Sequence, residues 1–184
     1  MKVLIAYATS EGQTRKIARH AAHHLANSGH AVELLALSDA TPDDLVHYDR
    51  IILAASVHVG HYQRVLTDFV HDARDILRDK RTLFLSVSLA AAGHDADDWQ
   101  GLERILSDFS AATGWTSERT EQIAGAYLPS KYDMFRRFVM RRIIAQKDPE
   151  ADLDKDIEYT DWDALVAVLD AWLMDGSDAP PRST

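Results

Sequence analysis

The chain contains 184 residues, of which 46% are hydrophobic and 27% charged, a composition that suits one globular domain with a sizeable core. Its formal net charge of −9 argues against nucleic-acid binding, and the absence of cysteine excludes disulfides, thiolate catalysis and iron–sulfur clusters. No apolar stretch approaches the roughly 18 residues that cross a bilayer, and the N-terminal apolar run is too short for a signal peptide, so we expect a cytoplasmic protein.

The first fourteen residues predict an anion site. Residues 3–6 form an apolar run typical of a strand buried on both faces, and helical spacing of apolar residues begins near residue 14. The hydroxyl-rich turn between them faces the positive end and the unpaired N–H groups of the helix. Without a lysine after its glycine, this turn suits a single terminal phosphate monoester, and the alternative is an ordinary capped turn without a ligand. The candidate ligands are Thr9, Ser10, Glu11, Gly12, Gln13 and Thr14.

The rest of the chain alternates between strands and helices. Apolar runs predict strands over residues 31–37, 50–57, 81–89 and 120–128, and helical spacing predicts helices over 14–28, 65–77, 99–114, 131–146 and 162–173. Residues 147–158 are interpreted as an acidic linker and residues 175–184 as a disordered tail, which makes residues 1–174 one domain. This alternation predicts an α/β fold with a doubly wound parallel sheet and helices on both faces.

In sheets of this kind, ligands bind beyond the carboxyl ends of the strands. The second loop at that edge offers His58, His61 and Tyr62, whereas the third has no aromatic residue before Trp99. Each histidine has the alternative of being an ordinary surface residue, and no His/Asp/Glu cluster has metal-ligand spacing, so no metal is expected. The three loops that meet at this edge are residues 9–14, 56–62 and 86–96.

The turn at residues 9–14 resembles the phosphate loop of flavodoxin-like proteins, whose pattern is roughly Thr/Ser-x-Thr-Gly-x-Thr. Glu11 replaces the middle threonine of that pattern. The resemblance implies FMN as the cofactor and a five-stranded sheet in the order 2-1-3-4-5, with the phosphate on the first loop and the ring between the other two. The residues expected around the ring are Ser56, Val57, His58, Gly60, His61, Ser86, Val87, Ser88 and Leu89.

Residues 55–62, 123–126 and 159–162 resemble the family of bacterial quinone-dependent protoporphyrinogen oxidases, in order and spacing, over nearly the whole chain. The resemblance implies FMN-dependent oxidation of protoporphyrinogen IX to protoporphyrin IX in haem biosynthesis. The electrons would pass to menaquinone or ubiquinone in the membrane, and a homo-oligomer is left open. No acid–base residue is demanded, and His61 and Tyr62 are candidates for positioning the substrate.

A basic segment at residues 131–147 stands out in this acidic chain, with six basic residues against one acidic residue. A basic helix with interleaved apolar residues suits an anionic membrane surface or the propionates of a porphyrinogen. We therefore expect peripheral association with the inner face of the cell membrane. The alternative is a packed helix whose arginines pair with the acidic residues of 148–163. The candidates for substrate or membrane contact are Lys131, Arg136, Arg137, Arg141 and Arg142.

Other functions of the same fold remain open from the sequence. A flavodoxin-type electron carrier is disfavoured by the missing third-loop aromatic and by the basic segment. An NAD(P)H:quinone reductase is disfavoured because no second phosphate-binding loop is present. A third alternative is a flavin-free domain, which a colourless preparation would reveal.

Overall fold

Five parallel strands form the central sheet of this computed structural model, which describes residues 1–175 apart from the side chains of Phe135 and Arg136. The strands are β1 (Lys2–Ala8), β2 (Ala31–Ala36), β3 (Arg50–His58), β4 (His61–Tyr62), β5 (Arg81–Ser88), β6 (Arg119–Ala124), β7 (Ala126–Tyr127) and β8 (Ile157–Glu158). The parallel strands lie in the order β2-β1-β3-β5-β6, while the short β4 pairs antiparallel with β3. Counting the parallel strands alone, this is the predicted order 2-1-3-4-5, which is confirmed.

The helices pack on both faces of this sheet, and each strand alternates its side chains between the two layers. They are α1 (Gln13–Asn27), α2 (Arg64–Arg78), α3 (Ala96–Thr113) and α5 (Trp162–Met174). A further helix, α4 (Met134–Lys147), contributes none of its described residues to either core layer. Val3 and Ile5 of β1 face the layer of α1 and α5, whereas Leu4 and Ala6 face the layer of α2 and α3. Because both faces are covered, the inner strands are nearly continuous apolar runs, which is what made them recognisable in the sequence.

Three predicted assignments are wrong. The strand expected over residues 120–128 ends at Ala124. The Gly125 amide still donates to the carbonyl of Ser88, the last residue of β5, and beyond that contact the chain leaves the central sheet. The segment beyond it forms the separate antiparallel pair β7–β8, which places a strand in the expected linker 147–158. The expected loop 56–62 likewise contains β4, the second strand of a hairpin with β3.

The C-terminal end of α5 is held by a buried arginine. The Arg50 guanidinium donates to the carbonyls of Trp172, Leu173 and Asp175, which lie in the last turn of that helix and just after it. Apart from Asp175, the expected tail at residues 175–184 lies outside the described residues. Within residues 1–175, no helix combines the length and apolar character that crossing a membrane requires.

Candidate functional site

A cleft of about 1290 Å³ opens at the carboxyl edge of the central sheet. Residues of all three predicted loops line it, as expected where parallel strands end. The sequence did not indicate two further walls, one from α3 and one from α4. The residues that form them include Asp97, Asp98, Leu102, Ile105, Val139, Met140, Ile143 and Lys147.

The first loop presents the start of α1 to this cleft. Gly12 occupies the N-cap position with a φ of 101°, which glycine adopts readily, and its amide donates to Thr9 Oγ1 at 2.9 Å. No side chain caps the helix, so its first amides face the loop, and Thr14 is only 1% exposed behind them. This set of neutral N–H and hydroxyl donors fits a phosphate monoester, the group that FMN would place there.

Ser10, Glu11, Gln13 and Thr14 line the cleft, whereas Thr9 supports the turn from behind. The side-chain amide of Gln13 donates to Glu158 Oε2 at 3.0 Å and to Thr160 Oγ1 at 2.9 Å. Ser10 accepts a hydrogen bond from Gln63. The loop is therefore tied by side chains to its neighbours on both sides.

The second loop is the tight hairpin between β3 and β4. His58 and His61 pair across it, and Val59 and Gly60 form its turn with positive φ angles of 49° and 82°. Nε2 of His58 lies 2.9 Å from Ser56 Oγ and 3.7 Å from Glu11 Oε2. The structure thus brings the unusual acid of the first loop next to a histidine of the second.

Tyr62 is 5% exposed in the core and still lines the cleft, so its expected part in positioning a substrate stays a prediction. Its hydroxyl donates to Ser86 Oγ at 2.8 Å, and its ring packs edge-on against Phe84 and Phe109 at centroid distances of 5.1 and 5.0 Å. Burial raises the pKa of this phenol, although the Ser86 hydrogen bond opposes the rise. Ser86, expected near the ring, is itself 0% exposed inside β5. His61, the other candidate for positioning the substrate, is exposed and also lines the cleft.

The third loop begins within β5. Val87, Ser88 and Leu89 line the cleft, and Ser88 Oγ accepts from the Ala91 amide. Gly125 also lines the cleft, and a Cβ added there would lie 3.3 Å from Val87 Cγ1. Sequence reasoning did not assign Gly125 to the site, yet a glycine inside an apolar strand pattern is the signal that marks such a close approach.

In the basic segment, residues 131–147, the structure favours the alternative in which arginines pair with acidic residues of 148–163. Arg137 and Arg141 both pair with Asp154, at 3.3 Å for Arg137, so they contact the acidic residues of 148–163. None of the four candidates whose side chains are described, namely Lys131, Arg137, Arg141 and Arg142, lines the cleft. The basic residue of this segment that does line it is Lys147, which pairs with Asp98 of α3.

The flavodoxin domain family matches residues 4–154, and the chain belongs to this family. The expectation of FMN as the cofactor is thereby confirmed, and the loop donors fit it. Among solved structures, oxidised Flavodoxin 2 from Bacillus cereus is similar with a TM-score of 0.57 and 20% identity, covering 94% of this chain and 98% of that one. This likeness shows the fold.

The curated relatives carry an enzyme name. Protoporphyrinogen IX dehydrogenase (quinone) from Escherichia coli strain K12 is 30% identical over 166 residues, which is 90% of this chain and 91% of that protein. The protein of the same name from Leishmania major is 27% identical over 182 residues, covering 98% of this chain and 78% of the relative.

Proposed function

We propose that this chain is an FMN-dependent dehydrogenase that oxidises protoporphyrinogen IX to protoporphyrin IX and passes the electrons to a quinone. The observation that carries the proposal is the cleft, whose volume of about 1290 Å³ exceeds the roughly 300–1,000 Å³ of sites for one small ligand. Such a cleft has room for a second planar molecule beside FMN. The relatives named for this reaction align with 90% and 98% of the chain, which supports the same assignment.

The residues around the cleft suit the binding of FMN and a second planar molecule side by side. The start of α1 with Ser10 and Thr14 would hold the phosphate, and the residues at the ends of β3 and β5 would hold the ring. Bound FMN supplies the two-electron redox chemistry. Residues 88–92, Ser-Leu-Ala-Ala-Ala, contribute no aromatic side chain, so one face of the ring is left to the substrate. Leu102, Ile105 and Met140 form an apolar wall that excludes water from that space.

Two basic side chains on the cleft wall suit the propionates of the substrate. Lys147 lines the cleft beside Asp98, and Arg64 lines it from the first turn of α2. Charge-assisted hydrogen bonds to carboxylates are stronger than neutral ones, so either cation is suited to orienting the macrocycle. This assignment replaces the arginines of α4 as the principal candidates for substrate contact.

The proposed acceptor is a quinone dissolved in the membrane, which requires a cytoplasmic protein that docks on the inner face of the cell membrane. Met134 and Phe138 of α4 are 91% and 70% exposed, and Arg142 is exposed one turn further on. These positions are four residues apart and share one face of the helix. An exposed apolar and basic face of this kind suits an anionic bilayer surface.

The alternative is a flavodoxin-type electron carrier, which the likeness to Flavodoxin 2 favours on fold alone. One experiment separates it from the dehydrogenase and from an NAD(P)H:quinone reductase. The purified protein is loaded with FMN and assayed without oxygen for protoporphyrinogen oxidation with menaquinone and ubiquinone analogues. We expect porphyrin fluorescence to appear with a quinone and NADPH to reduce the flavin poorly. Rapid flavin reduction by NADPH would favour the reductase, and no turnover with any quinone would favour the carrier.

A further inference from the structure

Glu158 lies at the end of β8, and its carboxylate joins three elements. Its Oε2 atom accepts from Lys16 Nζ at 2.5 Å and from Gln13 Nε2 at 3.0 Å, both on α1. Its Oε1 atom accepts from Trp162 Nε1 of α5 at 3.0 Å. Partial burial opposes ionisation, but these three hydrogen bonds outweigh it and hold the pKa of Glu158 below its usual value.

A second contact strengthens the connection at the first residue of α1. Gln13 Nε2 also lies 2.9 Å from Thr160 Oγ1, and that hydroxyl donates to the Ala124 carbonyl at 2.7 Å. The first turn of α1 is therefore joined to the end of β6 and to the strand that follows α4. Gln13 lines the cleft, whereas Glu158 is not among its lining residues.

Glu158 also ends the segment that carries the α4 wall. This segment leaves the central sheet after Gly125, passes through α4 and returns through β8. A polar contact at the other end of α4 is the Lys147–Asp98 pair. One carboxylate thus connects the helix that faces the phosphate with the segment that covers the cleft.

We propose that Glu158 is a positioning residue that holds the first turn of α1 in place for the FMN phosphate and ties the α4 segment to that turn. The N-cap of α1 is glycine, which makes no side-chain cap, so the restraint on the first turn comes from Gln13 and Lys16. The carboxylate also neutralises Lys16. If its charge alone mattered, removing it would strengthen the binding of a phosphate dianion. If Glu158 instead acts by positioning the first turn of α1, removing its carboxylate should weaken that binding.

The test compares FMN with riboflavin, which lacks the phosphate, as ligands of the Glu158→Ala variant. Flavin fluorescence quenching gives both dissociation constants. We expect the Kd for FMN to rise about tenfold, the effect of weakening one hydrogen bond from the displaced first turn of α1 to the charged phosphate, and the Kd for riboflavin to stay within twofold. Glu121→Ala is the matched control, because Glu121 pairs with Arg119 at 2.7 Å and its side chain is 28% exposed, against 31% for Glu158. This control should change neither constant.

Limited trypsin digestion supplies the second readout. FMN should slow cleavage within residues 131–147 of the unaltered chain and of the Glu121→Ala variant, but not of the Glu158→Ala variant at equal occupancy. An unchanged or lower Kd for FMN, an equal loss for riboflavin, or full protection in the variant would each overturn the proposal. Both readouts concern FMN alone and are independent of the proposed substrate.

Discussion

Thr14 occupies an unusual place for a hydroxyl, since it is 1% exposed in the first turn of α1 and still lines the cleft. Replacing Thr14 by valine keeps its shape and removes the hydroxyl that we expect to donate to the phosphate. We predict a loss of about 1–3 kcal/mol in FMN binding, measured by fluorescence titration. Thr113→Val is the control, because that threonine is equally buried and its hydroxyl donates to the Phe109 carbonyl. The prediction is wrong if the two variants bind FMN equally.

Tyr62 allows a test of a core residue that the sequence suggested for the site. The Tyr62→Phe variant leaves the Ser86 hydroxyl without its donor, and we expect a loss of about 1–3 kcal/mol in the free energy of unfolding. If the hydroxyl serves only the core, turnover and FMN binding should change less than twofold, whereas a large change in KM would identify Tyr62 as a substrate contact.

The difference in stability between the unaltered chain and the Tyr62→Phe variant should depend on pH through the pKa of Tyr62. Burial raises it in the folded state above the unfolded value of about 10. The contribution of the phenol is therefore complete below about pH 10 and is lost as the pH rises through the folded-state pKa. Urea unfolding at a series of pH values should show that the free energies of unfolding of the unaltered chain and the variant approach each other only above about pH 10.

At the scale of elements, the parts recognisable from the sequence are those whose pattern is local. The strands β1, β3 and β5 are apolar runs because both of their faces are buried, so their composition alone indicates them. The β7–β8 pair has no such signal. It depends on contacts between distant residues, such as the Tyr159 amide with the Gly125 carbonyl and the Tyr127 hydroxyl with the Leu153 carbonyl.

The candidate site also has parts that the sequence predicts and parts that depend on contacts between distant residues. Its three loops follow from the strand ends, which the alternation of elements predicts. The wall from α4 does not, because periodicity identifies the apolar residues of α4 without indicating where that helix packs. The charges of Arg137 and Arg141 left two interpretations open, a membrane surface or pairing with the acidic residues of 148–163, and the local pattern could not show that both pair with Asp154.

Adjacent isoleucines in α4 test how this helix is held over the cleft. Ile144 is 1% exposed, whereas Ile143 is 36% exposed and lines the cleft. We expect Ile144→Ala to destabilise the segment by about 2–5 kcal/mol, the cost of emptying a buried isoleucine site. Trypsin should then cleave residues 131–147 faster. Ile143→Ala should leave the cleavage rate nearly unchanged, and equal rates for the two variants would contradict this packing.

The whole molecule combines a net charge of −9 with a basic segment, and the structure alters the way in which that segment suits a membrane. Arg137 and Arg141 are paired with Asp154, which reduces the positive charge they present to lipid. Long-range repulsion between an acidic protein and anionic lipid is also screened at physiological salt. The apolar side chains that α4 exposes therefore become the more important contribution to docking.

Replacing both Met134 and Phe138 by serine removes the most exposed of the described apolar side chains of α4, at 91% and 70% exposure, without changing any charge. If this face meets the bilayer, the double variant should co-sediment with anionic vesicles at least fivefold less than the unaltered chain, while its flavin spectrum stays the same. Because a quinone with a long isoprenoid tail is reached only from the bilayer, turnover with it should fall, whereas turnover with a short water-soluble quinone should not. Val46→Ser is the control, since Val46 is 54% exposed and precedes β3 at the opposite edge of the sheet. Equal loss with both quinones would mean that the two side chains act at the cleft rather than at the membrane.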